Sequence, residues 1–380
     1  MTFLIVLASG VLVVVLIHVL VGWLLSGGLY RDALAVRTRD KDLGVRVRGV
    51  SPNRIVLEAP GPRWDIGHPG TLGLAWGQGY GRLGDVIDVN GSRFIRHYEP
   101  VRGVPTPCPG SLEECPPVEV DPYVFPRDPN DVGLVFEEVS YRSALGSMGA
   151  WLVPAGTPDS WAVLCHGWTA EKRELIRMLP VFHEVGFNTL VIDYRNDPES
   201  PPDVTGRHRF GLSEWEDLEA AVGLTIERGA GKIVVGGCST GGALVMAFLE
   251  RSRLADSVSA VFLDAPNIIL ADAIRHGTHH LRATPLMIEF GMWIADVRWK
   301  IDWVATNYVA RAEETLRVPT LVFHGTSDQT IPISVSRQLE ARAPAMVELV
   351  ETPAAGHVMS WNADPARYER YLRNFLKRVS

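Results

Sequence analysis

The sequence is short of positive charge and of cysteine, and it has no repeats; each shortage removes a class of function. Its 37 basic residues against 44 acidic ones leave a formal charge of −7 over 380 residues. A nucleic-acid binder carries a basic stripe, so nucleic acid is excluded as a partner. There are only 4 cysteines, and Cys108 and Cys115 have no further ligand types close by, so no zinc site is indicated. No internal repeat occurs, and the one biased segment is a proline-rich loop, which excludes solenoids and arrays. The length suits one large domain with an appendage. Arginine dominates lysine, and alanine, valine, glycine and proline abound, as in GC-rich coding sequence.

What is present begins with an uncharged run, "FLIVLASGVLVVVLIHVLVGWLL" from Phe3 to Leu25. It is long enough to cross a bilayer as a helix. A cleaved signal peptide is the alternative, but the apolar stretch is too long and no basic segment precedes it, although "ALA" at 33–35 resembles a weak cleavage site. The expectation is an uncleaved single-pass anchor over residues 1–25, with 3–25 in the membrane. His18 within it reads as tolerated. Arg31, Arg37, Arg39 and Lys41 favour a cytoplasmic side for the rest of the chain. Cys108 and Cys115 in "TPCPGSLEECPP" favour the opposite, because a short-range disulfide implies an oxidising compartment. The reading leans outward, to an extracytoplasmic domain. Cys165 and Cys238 fall at strand ends and read as small buried residues.

Residues 26–130 are rich in glycine and proline, with strand-like pieces "NRIVLEA", "TLGLAWG" and "SRFIRHY". They predict a small β-rich extension without a catalytic cluster, acting as a scaffold. His68 and His97 stand alone there and read as surface or packed residues. From residue 131 strands and helices alternate. "SWAVLCHGW", "NTLVIDYR", "KIVVGGCS", "VSAVFLDAP", "PTLVFHG" and "VELVETP" read as strands. "EKRELIRMLPVFHEVGF", "SEWEDLEAAVGLTIERGA" and "DPARYERYLRNFLKRV" read as helices, the second opened by a Ser213–Glu216 capping box. This predicts an α/β domain over 131–380 with a doubly wound, mainly parallel sheet. About residues 267–315 the alternation is broken by an aromatic, helical stretch. Inserted after the sixth strand, it would overhang the carboxyl edge of the sheet as a lid. A helix pair that merely packs fits the same pattern.

The residues that carry chemistry start at "IVVGGCSTGGALV", 233–245. A nucleophile elbow has the form Gly-x-Nuc-x-Gly between strand and helix. Gly237, Ser239 and Gly241 fit that register; centring on Cys238 puts Thr240 where a glycine is needed, so the pattern selects Ser239. A serine needs a base held by an acid. In chain order, Asp328 in "HGTSDQTIP" and His357 in "PAAGHVMS" come next, each just past a strand. Asp264, after "AVFLD", is the rival acid, and the polar turn around Asp328 favours the later residue. Two backbone N–H groups should face the developing oxyanion, one on Thr240 and the other on Trp168 after the "CHG" turn. The Trp168 ring could equally wall a pocket or simply pack. His276, His279 and His280 lack a carboxylate at metal-ligand spacing, and His324 reads as structural.

Taken together, "HGW", "GCSTGG", "HGTSD" and "AGH" resemble the α/β-hydrolase superfamily over residues 131–380. They are most similar to its monoacylglycerol lipase-like and serine aminopeptidase-like branch. "DYRNDPESPPD" and "LSEWEDLEAAV" look like a group of membrane-anchored hydrolases from high-GC bacteria. The resemblance implies an acyl-enzyme at Ser239, no metal and no organic cofactor; residues before about 130 lie outside it. The resulting expectation is a membrane-tethered serine esterase acting on an acylated envelope lipid or glycolipid, with no protein partner inferred. A peptidase using the same triad and a non-catalytic scaffold are the alternatives.

Overall fold

The computed structural model describes residues 2–36, 44–59, 64–111, 114–278 and 283–380, with side chains from residue 12 onward, 13 and 14 excepted. Arg37, Arg39 and Lys41, and His279 and His280 of the expected lid, lie outside the described residues.

Two sheets organise the chain. The first is antiparallel and contains β1 (Arg46–Ser51), β2 (Arg54–Glu58), β3 (Leu72–Trp76), β4 (Gly79–Asn90), β5 (Arg93–Arg102) and β6 (Glu119–Asp121), in the order β1-β2-β5-β4-β3-β6. A bridge between Val45 and Val118 joins its two ends, so the sheet curls into a small barrel with covered edges. Alternation drives it: in β2, Ile55 and Leu57 are buried and Arg54 is exposed. Those residues meet Val47, Leu74, Leu83 and Phe94 in the barrel interior. Cys108 and Cys115 form a disulfide. Arg48 steadies its loop by donating to the carbonyls of Cys108, at 2.8 Å, and Gly110, at 2.5 Å.

The second sheet has eight strands. β7 (Glu137–Ser143) and β8 (Gly146–Val153) run antiparallel at one edge. Six parallel strands complete it, β9 (Ser160–Cys165), β10 (Asn188–Ile192), β11 (Lys232–Cys238), β12 (Val258–Asp264), β13 (Thr320–Gly325) and β14 (Val347–Thr352). The order β14-β13-β12-β11-β9-β10-β8-β7 places β11 near the centre. Strands β9 to β13 are buried on both faces, as their near-continuous apolar runs require, whereas the edge strand β7 leaves Glu137, Glu138 and Arg142 exposed. Two local expectations change. Lys172–Met178 winds as 3-10 helix before the α-helix Leu179–Val185 begins. The Ser213–Glu216 capping box is not made, because the Ser213 hydroxyl donates to Asp203 (2.7 Å) and Glu216 accepts from Arg195 (2.9 Å).

The apolar N-terminus is a helix, Thr2–Leu29. Among the described residues no helix is long and apolar enough to cross a membrane, which overturns the expected anchor over residues 3–25. The outward, extracytoplasmic placement leaned on the Cys108–Cys115 pair but presupposed that anchor, and it falls with it. The described part of the helix packs against its own protein, on the helix Pro285–Trp299 of the inserted stretch. Gly22 lies so close to that helix that a Cβ there would come within 2.8 Å of Ile294. The Arg298 guanidinium sits 3.7 Å from the ring centroid of Trp23 and donates to the Ser26 hydroxyl at 2.6 Å. Tyr30 packs on Trp299 with centroids 4.4 Å apart. Leu12, Leu16 and Leu20 remain exposed.

Barrel and α/β domain are locked together at Asn362, a fully buried residue in the short helix Ser360–Ala363. Its amide donates to the carbonyls of Thr71 (2.7 Å) and Pro122 (2.8 Å), and its Oδ1 accepts from Arg177 at 2.5 Å. Gly70 approaches the same helix with φ +88°, and a Cβ there would meet the Asn362 carbonyl oxygen at 1.9 Å. Arg173 adds a salt bridge to Asp121 at 2.5 Å.

Candidate active site

Ser239 follows β11 and precedes the helix Thr240–Arg251. Its backbone takes φ +50° and ψ −116°, a strained conformation for a residue with a side chain. Such a turn is tight: a Cβ on Gly237 would sit 2.2 Å from the Gly241 carbonyl carbon. One on Gly241 would sit 2.4 Å from the Cys165 oxygen. These contacts are the physical reason for the glycines, and they push the Ser239 side chain out above the sheet.

The structure brings Ser239, His357 and Asp328 together from the ends of β11, β14 and β13. His357 Nε2 lies 2.8 Å from Ser239 Oγ, and its Nδ1 lies 2.7 Å from Asp328 Oδ2. Asp328 Oδ1 accepts the backbone N–H groups of Thr330 and Ile331, each at 2.8 Å. Burial would raise the Asp328 pKa, but the facing imidazoles of His357 and His324 hold it well below the usual carboxylate range. Burial would lower the pKa of His357, and the Asp328 carboxylate outweighs this and raises it above the ordinary histidine value. The arrangement can take a proton from the Ser239 hydroxyl and stabilise the imidazolium that results.

Asp264 is not brought to His357 by any hydrogen bond among the described residues. It is fully buried at the end of β12, accepts the Tyr368 hydroxyl at 2.9 Å, and burial pushes its pKa up to about 6. His324 does make structural bonds, to Ser336 (2.7 Å) and the Ile331 carbonyl (3.1 Å). It also lies 3.3 Å from Asp328 Oδ2, so it braces the acid. His276 contacts the Asp328 backbone oxygen at 3.0 Å and ties the helix Leu270–Gly277 to the acid's loop.

Trp168 and Thr240 both border Ser239. Thr240 is the first residue of its helix, where N–H groups have no intrahelical acceptor. Sequence reasoning missed Glu174, a buried acid that accepts the Gly167 N–H at 2.7 Å and so fixes the turn carrying Trp168. A Cβ on Gly167 would lie 3.1 Å from that of Ser239, a tight approach that glycine relieves. The only signal for it was the glycine of "HGW". Cys165 and Cys238 are buried, and burial raises both thiols far above their ordinary pKa.

Two cavities meet at Ser239. The larger, about 710 Å³, is bordered by Trp168, Ser239 and Thr240, by Ile274, Gly291 and Met292 of the inserted helices, and by Leu25 and Gly28 of the N-terminal helix. The smaller, about 450 Å³, is bordered by Ser239, His357 and Glu174, and on the barrel side by His68, Leu72 and Val120. The buried Asn267 Oδ1 next to Ser239 has no protein partner. Among the described residues, one cluster has metal-ligand spacing, His166, Asp193 and Asp197. It is already internally balanced, since Lys172 pairs with Asp193 and the His166 ring contacts Asp197 at 3.0 Å.

Comparison with known proteins bears on the family and the fold. Residues 162–370 match the Alpha/beta hydrolase family, and the chain belongs to it. The uncharacterized protein YqkD of Bacillus subtilis (strain 168) is 24% identical over 245 residues, which is 61% of this chain and 75% of that protein. The Pyrococcus furiosus esterase Pf2001 superposes with a TM-score of 0.53 at 18% identity, covering 67% of this chain and 95% of its own. DcsB, solved in complex with its substrate analogue, has a TM-score of 0.50 at 16% identity, covering 64% of this chain and 99% of its own. At these identities the structural likeness concerns the fold alone.

Proposed function

We propose that the protein is a serine esterase that passes through an acyl-enzyme at Ser239. The observation that carries the reading is the unbroken hydrogen-bonded relay from Ser239 Oγ through His357 to Asp328. His357 Nε2 takes the hydroxyl proton as Ser239 Oγ attacks the ester carbonyl. The Trp168 and Thr240 N–H groups receive the oxyanion; each such donor is worth about 3 kcal/mol at the transition state. As the carbon–oxygen bond breaks, His357 returns the proton to the departing alkoxide, and the alcohol leaves. Water then repeats the sequence, giving the carboxylic acid and regenerating the hydroxyl. Asp328 stays ionised and fixes the imidazole tautomer.

The apolar residues around the larger cavity support an ester with an apolar acyl group, and its volume of about 710 Å³ suits one. The expectation of an envelope lipid rested on an anchor beside the lid and goes with that anchor. Likeness in fold to an esterase supports ester over peptide cleavage. The test is a fluorophosphonate probe with a panel of p-nitrophenyl acyl esters and aminoacyl anilides. Labelling of the wild type, none of Ser239→Ala, and turnover of esters alone are expected. Equal labelling of both proteins, or turnover of anilides alone, overturns the reading.

A further inference from the structure

Ser239 sits where two cavities meet, and the residues around each determine which half of an ester it takes. We propose that the acyl arm lies between the N-terminal helix and the lid, and the alcohol arm under the barrel. The assignment rests on the esterase reading above. Proton transfer sets the direction. His357 Nε2 must give its proton to the alkoxy oxygen as the carbon–oxygen bond breaks, so the alcohol leaves on the side where His357 is open. His357 borders the smaller cavity, with His68, Leu72 and Val120 opposite it. The residues around the larger cavity do not include His357; there Ser239 and Thr240 face Leu25, Gly28, Ile274 and Met292. Acyl carbon and oxyanion therefore stand toward the larger space, and the leaving oxygen toward the smaller one.

This gives work to both segments that lie outside the family match. The apolar N-terminal helix is a wall of the acyl cavity. The barrel is a wall of the alcohol cavity, and it is built to hold its shape. Arg96, fully buried, donates to the carbonyls of Ile66, His68 (2.8 Å), Gly70 (2.7 Å) and Gly84 (2.6 Å). Those bonds fix the 66–70 loop and set His68 at the cavity. The substrate class is then an ester of an extended apolar acid with a compact alcohol, matching volumes of about 710 and about 450 Å³.

The test measures kcat/KM of the full chain on two ester series. One varies the acid from butyrate to decanoate as ethyl esters; the other varies the alcohol, methyl, propyl or benzyl, as hexanoates. Gly28→Leu adds a side chain to the larger cavity, and its Cβ meets nothing nearer than 3.9 Å, so the helix need not move. The decanoate-to-butyrate ratio should fall about tenfold while the benzyl-to-methyl ratio holds. His68→Ala widens the smaller cavity, and the Arg96 bond survives because it uses the backbone carbonyl. The benzyl-to-methyl ratio should rise about tenfold while the acyl ratio holds. Val120→Ala repeats that measurement should His68→Ala unfold, and Gly28→Met does so for the acyl side. Variants that move the wrong ratio, or folded variants that move neither, overturn the assignment. Hydrolysis that survives Ser239→Ala would instead overturn the esterase reading itself.

Discussion

The two sheets approach the same hydroxyl and contribute different things. The parallel sheet delivers the proposed reacting groups: β11, β13 and β14 each end in a loop that carries one of Ser239, Asp328 and His357. The barrel supplies none of the relay. It contributes a surface, held in shape by Arg96 and fastened through Asn362. The proposed chemistry is concentrated in short loops at one edge of a sheet, whereas the shape around it is assembled from segments hundreds of residues apart.

That contrast predicts a steep hierarchy of effects. Ser239→Ala should lower kcat about a million-fold with little change in thermal stability, since a hydroxyl is all that is removed. Esterase assay and a melting curve on the same preparation check it; substantial residual turnover would mean a nucleophile elsewhere, the barrel included. Asp328→Asn should cost about ten-thousand-fold by allowing the wrong imidazole tautomer. Asp264→Asn should change kcat/KM far less, because Asp264 is bonded to Tyr368 instead.

The pH profile sharpens the same division. An imidazole must be neutral to accept the Ser239 proton, so kcat/KM should fall as pH drops through the elevated His357 value. Removing the Asp328 charge should move that limb to lower pH. The sign for stability is opposite. A histidine whose folded pKa is raised contributes stability that is complete below its unfolded value and is lost as pH rises through the folded one. His357→Gln should therefore lose more stability at pH 5 than at pH 9, as read by urea unfolding.

Next in size is the joint between the two sheets. Asn362→Ala removes both amide donors to the barrel and leaves the buried Arg177 without its side-chain acceptor. A cost of about 2–4 kcal/mol is expected in urea unfolding. Activity should fall far less than in Ser239→Ala, with the alcohol preference altered more than the acyl preference. An unchanged midpoint would mean that the barrel docks by other contacts.

How much of this was legible divides along the same line. Gly237-x-Ser239-x-Gly241 announces a strained turn, because steric conflict within five residues dictates small neighbours, and local conflict leaves a local pattern. Asp328 and His357 can be read from chain order and from their places just after strands. Glu174, Arg96 and Asn362 left no such mark. Each is a buried polar residue; the partners of Arg96 and Asn362 lie 12 or more positions away, while Glu174 meets the Gly167 N–H seven positions before it, and nothing nearby distinguishes any of them from a surface residue. The run Phe3–Leu25 misled for a related reason. Apolar character says that a segment is to be buried but not against what, and part of this one is covered by the helix Pro285–Trp299.

The smallest effect expected lies at the disulfide. Cys108 and Cys115 are seven positions apart, and closing so short a loop restricts the unfolded chain by roughly 2 kcal/mol. The native loop has other support, since Arg48 donates to the carbonyls of Cys108 and Gly110 and pairs with Glu58 at 2.8 Å. Replacing both cysteines with serine should therefore lower the unfolding free energy by about that amount while the barrel stays folded. Both ester selectivity ratios should hold, because neither cysteine borders a cavity at Ser239. A shift in the alcohol ratio without a shift in the acyl ratio would show that strain in the 108–115 loop reaches the 66–70 loop through the barrel wall. The barrel would then tune the site as a spring and not merely enclose it.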